Sequence, residues 1–267
     1  MTTKALQDKK AVIFGAAGSI GMAVAKEFAS EGAEVFLAGR TRSNVEAVAQ
    51  QVLGAGGKAH AAVVDTQNDA EVTSYLASVA KQAGSLDVVI DVAGPLAGEY
   101  GNGKNAVGLP VDEFMVPLET MVRSRFITAR GAARLMIEQK SGVIIFVTGS
   151  PARGHVPGAS AIGAAFGAIE NLTENLAFEV SPFGVRVVCI RTLANVDSRS
   201  IQDTMEIVAG SLNITKDQAI ARLAQSSFLK IPATVLDTAN AAVMVASSRS
   251  RMLTGTVVNA TAGAALD

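Results

Sequence analysis

AVIFGAAGSIGMAVAKEFASEGAEVFLAG, residues 11–39, is the stretch on which the rest of the chain is organised. A short apolar run, 11–14, breaks at Gly15, and Gly18 and Gly21 follow at three-residue spacing. Apolar residues then recur with a helical period to about Ser30, and a second apolar run, 35–38, closes the unit. The order is strand, glycine turn, helix, strand. Three glycines in that place let the backbone turn tightly, approach a pyrophosphate closely and pack the helix on the strand. The helix start then offers free N–H groups and the positive end of its dipole to the anion. The plainer reading is a tight strand-to-helix turn with no ligand.

The chain has 267 residues, 49% of them hydrophobic, enough to bury a large core in one domain spanning 1–267. Its net charge of −1 gives no basic field for nucleic acid. Cys189 is the only cysteine; it sits in the apolar run 185–190 and reads as a small core residue. No apolar run reaches the ~18 residues of a membrane span. The first ten residues, MTTKALQDKK, hold no apolar signal core, so a cytoplasmic protein is expected. No cluster of metal-ligand type stands out.

Strand and helix signals alternate from end to end. Strands are expected at 11–14, 34–38, 58–64, 87–91, 142–148, 185–191 and 256–259. Helices are expected at 19–30, 43–53, 68–82, 111–138, 159–180, 205–225 and 234–247. The strands are near-continuous runs of Val and Ile, the pattern of a parallel sheet covered by helices on both faces. The expected fold is therefore α/β, a doubly wound, seven-stranded Rossmann-type sheet. Asn68, Thr215 and Thr234 suit N-caps, and Gly54, Gly84 and Gly184 suit helix C-caps. Pro117 should kink the fourth helix or mark its true start. Two long segments, the Gly-rich 93–110 and the insertion 193–230, follow strand ends and are expected to wall a substrate cleft, the second as a lid.

The second strand runs out at Leu37-Ala38-Gly39-Arg40-Thr41. An acidic side chain there would bind both ribose hydroxyls of NAD. Gly39 followed by Arg40 instead suits a 2′-phosphate, with Thr41 as a hydroxyl donor, so NADP is favoured over NAD. Arg42 either assists or is a solvated surface charge.

By these residues the chain resembles the short-chain dehydrogenase/reductase family over nearly its full length. The landmarks are Gly15-x-x-Gly18-x-x-Gly21, Val64-Asp65, the run 87–94 ending Val92-Ala93-Gly94, the run 142–148, the run 183–188 and the run 253–259. The resemblance implies a nucleotide held by Gly15, Gly18, Ser19, Ile20 and Gly21. It places Asp65 and Thr66 at the adenine, Ala93 and Gly94 at the adenosine ribose, and Thr192 with Leu193 near the nicotinamide amide. Two departures lie in the turn: Phe14 replaces the usual Thr and Ser19 the usual second Gly.

The family reduces carbonyls with a Tyr acid, a Lys four residues later, a Ser thirteen residues before the Tyr and an Asn on the preceding long helix. In this chain those positions are Ile162, Phe166, Gly149 and Met121. Tyr75 and Tyr100 are the only tyrosines, and no Lys lies between Lys140 and Lys216, so a shifted register restores nothing. Neither Ile nor Phe can protonate an alkoxide, a contribution worth about 10²–10⁴-fold. Remaining polar candidates are Thr148, Ser150, Arg153, His155, Ser160 and Arg191, with Ser150 and His155 the pair chosen for any retained catalysis. Against it, His155 lacks an evident carboxylate and Ser150 could simply cap a turn beside Pro151. Arg123 and Arg125 could face an anionic substrate or a subunit interface.

Three functions compete on this reading. They are an NADP-dependent oxidoreductase of a small apolar substrate with non-standard acid/base groups, a catalytically silent NADP(H)-binding sensor or partner subunit, and a non-redox lyase or isomerase on the same fold. The resemblance also implies a homo-oligomer, a tetramer or dimer, through the fourth and fifth helices and the last helix and strand.

Overall fold

The computed structural model describes residues 4–267. Its strands are β1 (Lys10–Phe14), β2 (Glu34–Gly39), β3 (Lys58–Val63), β4 (Val88–Asp91), β5 (Gly142–Gly149), β6 (Val185–Thr192) and β7 (Thr256–Ala260). All pair in parallel, in the order β3-β2-β1-β4-β5-β6-β7. The long helices are α1 (Ser19–Ser30), α2 (Arg42–Gly54), α3 (Asp69–Ala83), α4 (Val111–Pro117), α5 (Arg123–Gln139), α6 (Ser160–Val180), α7 (Arg199–Leu212), α8 (Lys216–Gln225) and α9 (Val235–Ala246).

The strand alternation sorts the core into two layers, because successive side chains leave opposite faces. Val12, Phe14, Phe36, Val89, Ile144, Phe146 and Val187 bury against α3, α5 and α6 on one face. Ala11, Ile13, Val35, Leu37, Ile90, Ile145 and Ile190 bury against α1, α2 and α9 on the other. The strand order reverses between β1 and β4, and open α/β sheets bind ligands at that switch point. The glycine turn after β1 and the Val92–Gly94 segment after β4 flank it.

Punctuation follows the expected chemistry at most ends. Asn68 accepts from the N–H groups of Ala70 and Glu71, and Thr215 and Thr234 close capping boxes with Gln218 and Asp237. Gly84 and Gly184 adopt φ of +81° and +82° at helix ends. Gly54 does not: it is the last residue of α2, and the left-handed turn falls at Gly56.

Two expected helices are each split. The segment 111–138 breaks after Pro117 into α4, a π-helical turn at Leu118–Val122, and α5. Proline lacks the N–H that would continue the α ladder, and the wider turn absorbs the defect. Within this turn Thr120 Oγ1 donates to the Val116 carbonyl at 2.6 Å. The segment 205–225 starts earlier, at Arg199, and divides at Asn213, whose φ of +50° ends α7. α7 and α8 share a small core of their own: Met205, Ala209 and Ala219. No described helix is long and apolar enough to cross a membrane.

Candidate functional site

The chain reverses at Gly15, where φ is +75°. A Cβ there would lie 2.5 Å from the Ala93 nitrogen and 2.8 Å from its Cα, so the turn rests on the backbone after β4. A Cβ on Gly21 would overlap the Gly15 carbonyl oxygen and lie 2.8 Å from Ala16 Cα. Gly18 differs. It caps α1 with φ of −74°, and a Cβ on it would meet only the Gly15 oxygen, at 3.3 Å. The fold itself demands Gly15 and Gly21, while the space over Gly18 admits close approach from outside. The first intrahelical bond of α1 runs from Met22 N–H to the Gly18 carbonyl at 2.8 Å. The N–H groups of Ser19, Ile20 and Gly21 therefore precede the helical ladder and are free for an anion. The Ser19 hydroxyl accepts from the Arg199 N–H at 3.1 Å, which ties the start of α7 to this turn.

A cavity of about 480 Å³ opens above the turn. One end is walled by Gly39, Arg40, Thr41 and Asn44, with Val64, Asp65, Thr66 and Gln67 beside them. The other end is walled by the segment 92–95 and Glu99, with Val116, Thr120 and Ser124 facing it. Arg40 is exposed and makes no ion pair or hydrogen bond among the described residues. Its neighbour Arg42 is engaged by Glu46 at 3.3 Å. Thr41 is the N-cap of α2 yet makes no side-chain cap bond, so its hydroxyl is free as well. Asp65 Oδ1 accepts the Gln67 N–H at 3.0 Å, and Gln67 Nε2 reaches across to the Thr120 carbonyl at 2.8 Å. Free helix N–H groups, an unpaired arginine and a carboxylate around one cleft fit a nicotinamide dinucleotide.

The family's reacting positions are apolar and packed. Met121 stands in the π turn, 7% exposed, with its Cε 3.6 Å from where a Gly94 Cβ would be. Ile162 is buried in the first turn of α6. The Phe166 ring lies 3.0 Å from the position of a Cβ on Gly149, so a side chain at 149 and this ring compete for one space. Ser150 opens a single 3₁₀ turn, its carbonyl accepting from the N–H groups of Arg153 and Gly154, with no hydrogen-bond partner for its hydroxyl among the described residues. His155 is exposed and likewise without a partner, so no hydrogen bond joins it to Ser150. Thr192 is buried, and its hydroxyl is engaged with Thr238 and Asn195. Ser160 is exposed at the start of α6.

The two long segments meet over the strand ends. Asn102 Nδ2 donates to Thr204 Oγ1 at 2.8 Å, and Gly103 N–H donates to the Gly158 carbonyl at 2.9 Å. Loop 93–110, α7 and the approach to α6 thus form one continuous cover.

Beneath the strand ends lie two buried ion pairs that the sequence does not announce. Arg191, 1% exposed, forks onto Glu170 with two bonds of 2.8 Å and also binds Asp267. The Thr148 hydroxyl donates to the same Glu170 at 3.0 Å. The Glu170 hydrogen bonds hold the Arg191 guanidinium well above its usual pKa, and Arg191 in turn lowers that of Asp267. Arg191 and Thr148 are therefore engaged with each other's partner and not free to meet a substrate. Arg153 stands 3.8 Å from the same carboxylate. The second pair is Arg125 with Asp91, both 1% exposed. Arg125 consequently faces neither a substrate nor a subunit interface, whereas Arg123 is exposed. The available signal was an acid ending the apolar strand 88–91 and hydroxyls at 124 and 128, one helical turn apart on α5. His60 stacks on Phe36 at 4.6 Å and binds Glu34 at 2.7 Å, a structural role.

The model of the short chain dehydrogenases matches residues 9–206. An uncharacterised oxidoreductase of Mycobacterium tuberculosis is 30% identical, over 97% of this chain and 92% of its own length. A short chain aldehyde dehydrogenase of Euphorbia lathyris is 28% identical over 95% of this chain and 87% of its own. Among solved structures, an NAD+-bound xylitol dehydrogenase superposes with a TM-score of 0.86 at 22% identity, covering 97% and 100% of the two chains. An actinorhodin polyketide ketoreductase with NADPH gives 0.87 at 19%, covering 96% and 97%. With the family model spanning most of its length and the fold shared throughout, this chain belongs to the short-chain dehydrogenase/reductase family.

Proposed function

We propose that this protein is an NADP(H)-dependent oxidoreductase acting on a small apolar substrate, with proton-transfer groups other than the usual Tyr and Lys. The observation that carries it is Arg40, exposed and unpaired at one end of a cavity whose strand end, Gly39, offers no acid to a ribose diol. A guanidinium there favours a 2′-phosphate by charge and by its planar fork. Structures with either nicotinamide cofactor share this fold, so the preference rests on this chain's own residues.

In this reading the N–H groups of Ser19 and Ile20 hold the pyrophosphate, and Arg40 and Thr41 hold the 2′-phosphate. Asp65 accepts from the adenine amino group, while Ala93 and Gly94 shape the ribose wall and Thr192 stands at the nicotinamide end. The bound dinucleotide supplies the hydride. Met121, Ile162 and Phe166 keep water from the reacting face, which suits an apolar substrate and strengthens the electrostatics there. Ser150 and His155, both unpartnered on the β5–α6 connection, carry the protons. A polarised C=C bond suits such a site best, because no alkoxide has to be protonated as hydride arrives. One domain with an α7–α8 lid completes the picture, in a homo-oligomer that uses α5 and α6, where Phe126 and Phe178 are exposed.

Cofactor-fluorescence titrations of NADPH and NADH test the binding claim. Wild type should bind NADPH more tightly, by about tenfold or more for a charge-assisted phosphate contact, and Arg40→Ser should erase the difference. Equal affinities in wild type, or binding of neither dinucleotide, would contradict it.

A further inference from the structure

We infer that Arg125 and Asp91 form a positioning pair for the nucleotide site, holding the Ala93 backbone from both sides and, through Ala93, the glycine turn. The inference rests on the nucleotide-binding reading above and adds residues that do not themselves touch the ligand.

Ala93 is gripped at both of its polar groups. Asp91 Oδ1 accepts its N–H at 2.9 Å, and Arg125 Nη1 donates to its carbonyl. The two charges face each other at 3.6 Å. Asp91 Oδ2 accepts from the hydroxyls of Ser124 and Thr128, both at 3.1 Å, and Arg125 Nη1 donates to Ser124 Oγ at 3.1 Å. The two peptide units that meet at Ala93 are thereby fixed by a network spanning β4 and α5. Gly15 packs against the Ala93 nitrogen and Cα so closely that no side chain fits between them. Ala93 and Ser124 also wall the cavity. A shift of Ala93 therefore moves the glycine turn and the ribose wall together.

Stability alone does not account for the pair. Buried ion pairs are commonly matched or bettered by apolar residues of equal volume. This one also leaves Arg125 Nε buried without an acceptor among the described residues, a cost tolerated while Nη1 reaches the Ala93 carbonyl. Its place at the last residue of β4, where the cavity begins, gives the pair its use.

The test measures the NADPH Kd by cofactor fluorescence alongside the melting temperature. Four proteins are compared with wild type: Arg125→Lys, Arg125→Met, the double variant Asp91→Leu/Arg125→Met, and Met136→Ala. Met136→Ala opens a cavity at the far end of α5 and reports what destabilisation alone does. The Arg125 variants should raise the Kd about 10- to 100-fold, the range for losing charge-assisted hydrogen bonds. The double variant removes the unpaired buried charge, so its melting temperature should recover while its Kd stays raised. Met136→Ala should melt lower and bind NADPH as wild type does. Recovery of affinity together with stability in the double variant would reduce the pair to a structural role and overturn the inference, as would unchanged affinity in Arg125→Lys. Failure of wild type to bind either dinucleotide would overturn the functional reading and this inference together, whereas binding by wild type with unaltered variants overturns only the positioning pair.

Discussion

Gly21 lies directly against the carbonyl oxygen of Gly15, with no room for a Cβ between them, while Gly18 has open space on its outer side. Two glycines of one turn therefore answer to different demands. Gly21→Ala must push the helix off the strand, lowering the melting temperature and weakening NADPH binding together. Gly18→Ala should melt within a few degrees of wild type yet lose affinity, because its methyl occupies ligand space. Paired melting and titration curves separate the two; equal loss of stability in both would show that Gly18 is a packing glycine like its neighbours.

The Phe166 ring edge occupies the space that a side chain at position 149 would need. A side chain at 149 thus crowds the Phe166 ring, which couples two departures from the family pattern. Gly149→Ser should cost about 1–3 kcal/mol in wild type as an overpacking change. In a Phe166→Ala background it should cost measurably less, and denaturant unfolding of the full cycle reads the coupling directly.

Arg191 and Glu170 form a charge pair that is forked and nearly unexposed. Arg191→Met leaves the Glu170 carboxylate buried without its counter-charge and should destabilise by about 3–5 kcal/mol. Adding Glu170→Gln should restore part of that. Urea unfolding measures both, and an Arg191→Met protein of wild-type stability would show that Arg153, 3.8 Å from Glu170, supplies the counter-charge in its place.

Burial pushes the Cys189 thiol up to about 12 and the Tyr100 phenol to about 12. An unfolded chain releases these protons from about pH 9 and about pH 10. Between those values and pH 12 the unfolded state binds fewer protons than the native one, so stability falls as pH rises. On the acid side, hydrogen bonds from Lys10 and His60 hold Glu34 below the usual carboxylate range, so its contribution is present above that range and lost as pH falls through it. Melting temperature should thus be flat through neutral pH and decline at both ends, and Cys189 should resist thiol reagents until the protein unfolds.

The sheet was legible because its inner strands are covered on both faces and carry apolar runs, whereas the edge strand β3 is half-exposed; 142–148 and 185–191 lie within strands that extend one residue further at the carboxyl end. The glycine turn was legible for a related reason, since Gly15 and Gly21 are sterically compelled. Helix breaks were harder. The division of α7 from α8 was signalled by Thr215, the N-cap of α8, but the left-handed Asn213 that ends α7 has no apolar-pattern signature of its own. The π turn after Pro117 leaves no signature of its own in the residue pattern. Arg125 was the least legible, because its partner Asp91 lies on a different element and a helical period cannot tell a buried arginine from an exposed one.

With Ile162 and Phe166 at the proposed reacting face, the protein is still expected to transfer hydride. The direct measurement is a single-turnover experiment: enzyme loaded with NADPH, mixed with a panel of enones and ketones, followed at the nicotinamide absorbance band. The band should be lost with apolar enones, more slowly or not at all with simple ketones, and about 10²-fold or more slowly in Ser150→Ala or His155→Phe, as expected for groups that carry protons. NADPH that binds and stays reduced against the whole panel would contradict this expectation, and would assign the protein to nucleotide binding without hydride transfer.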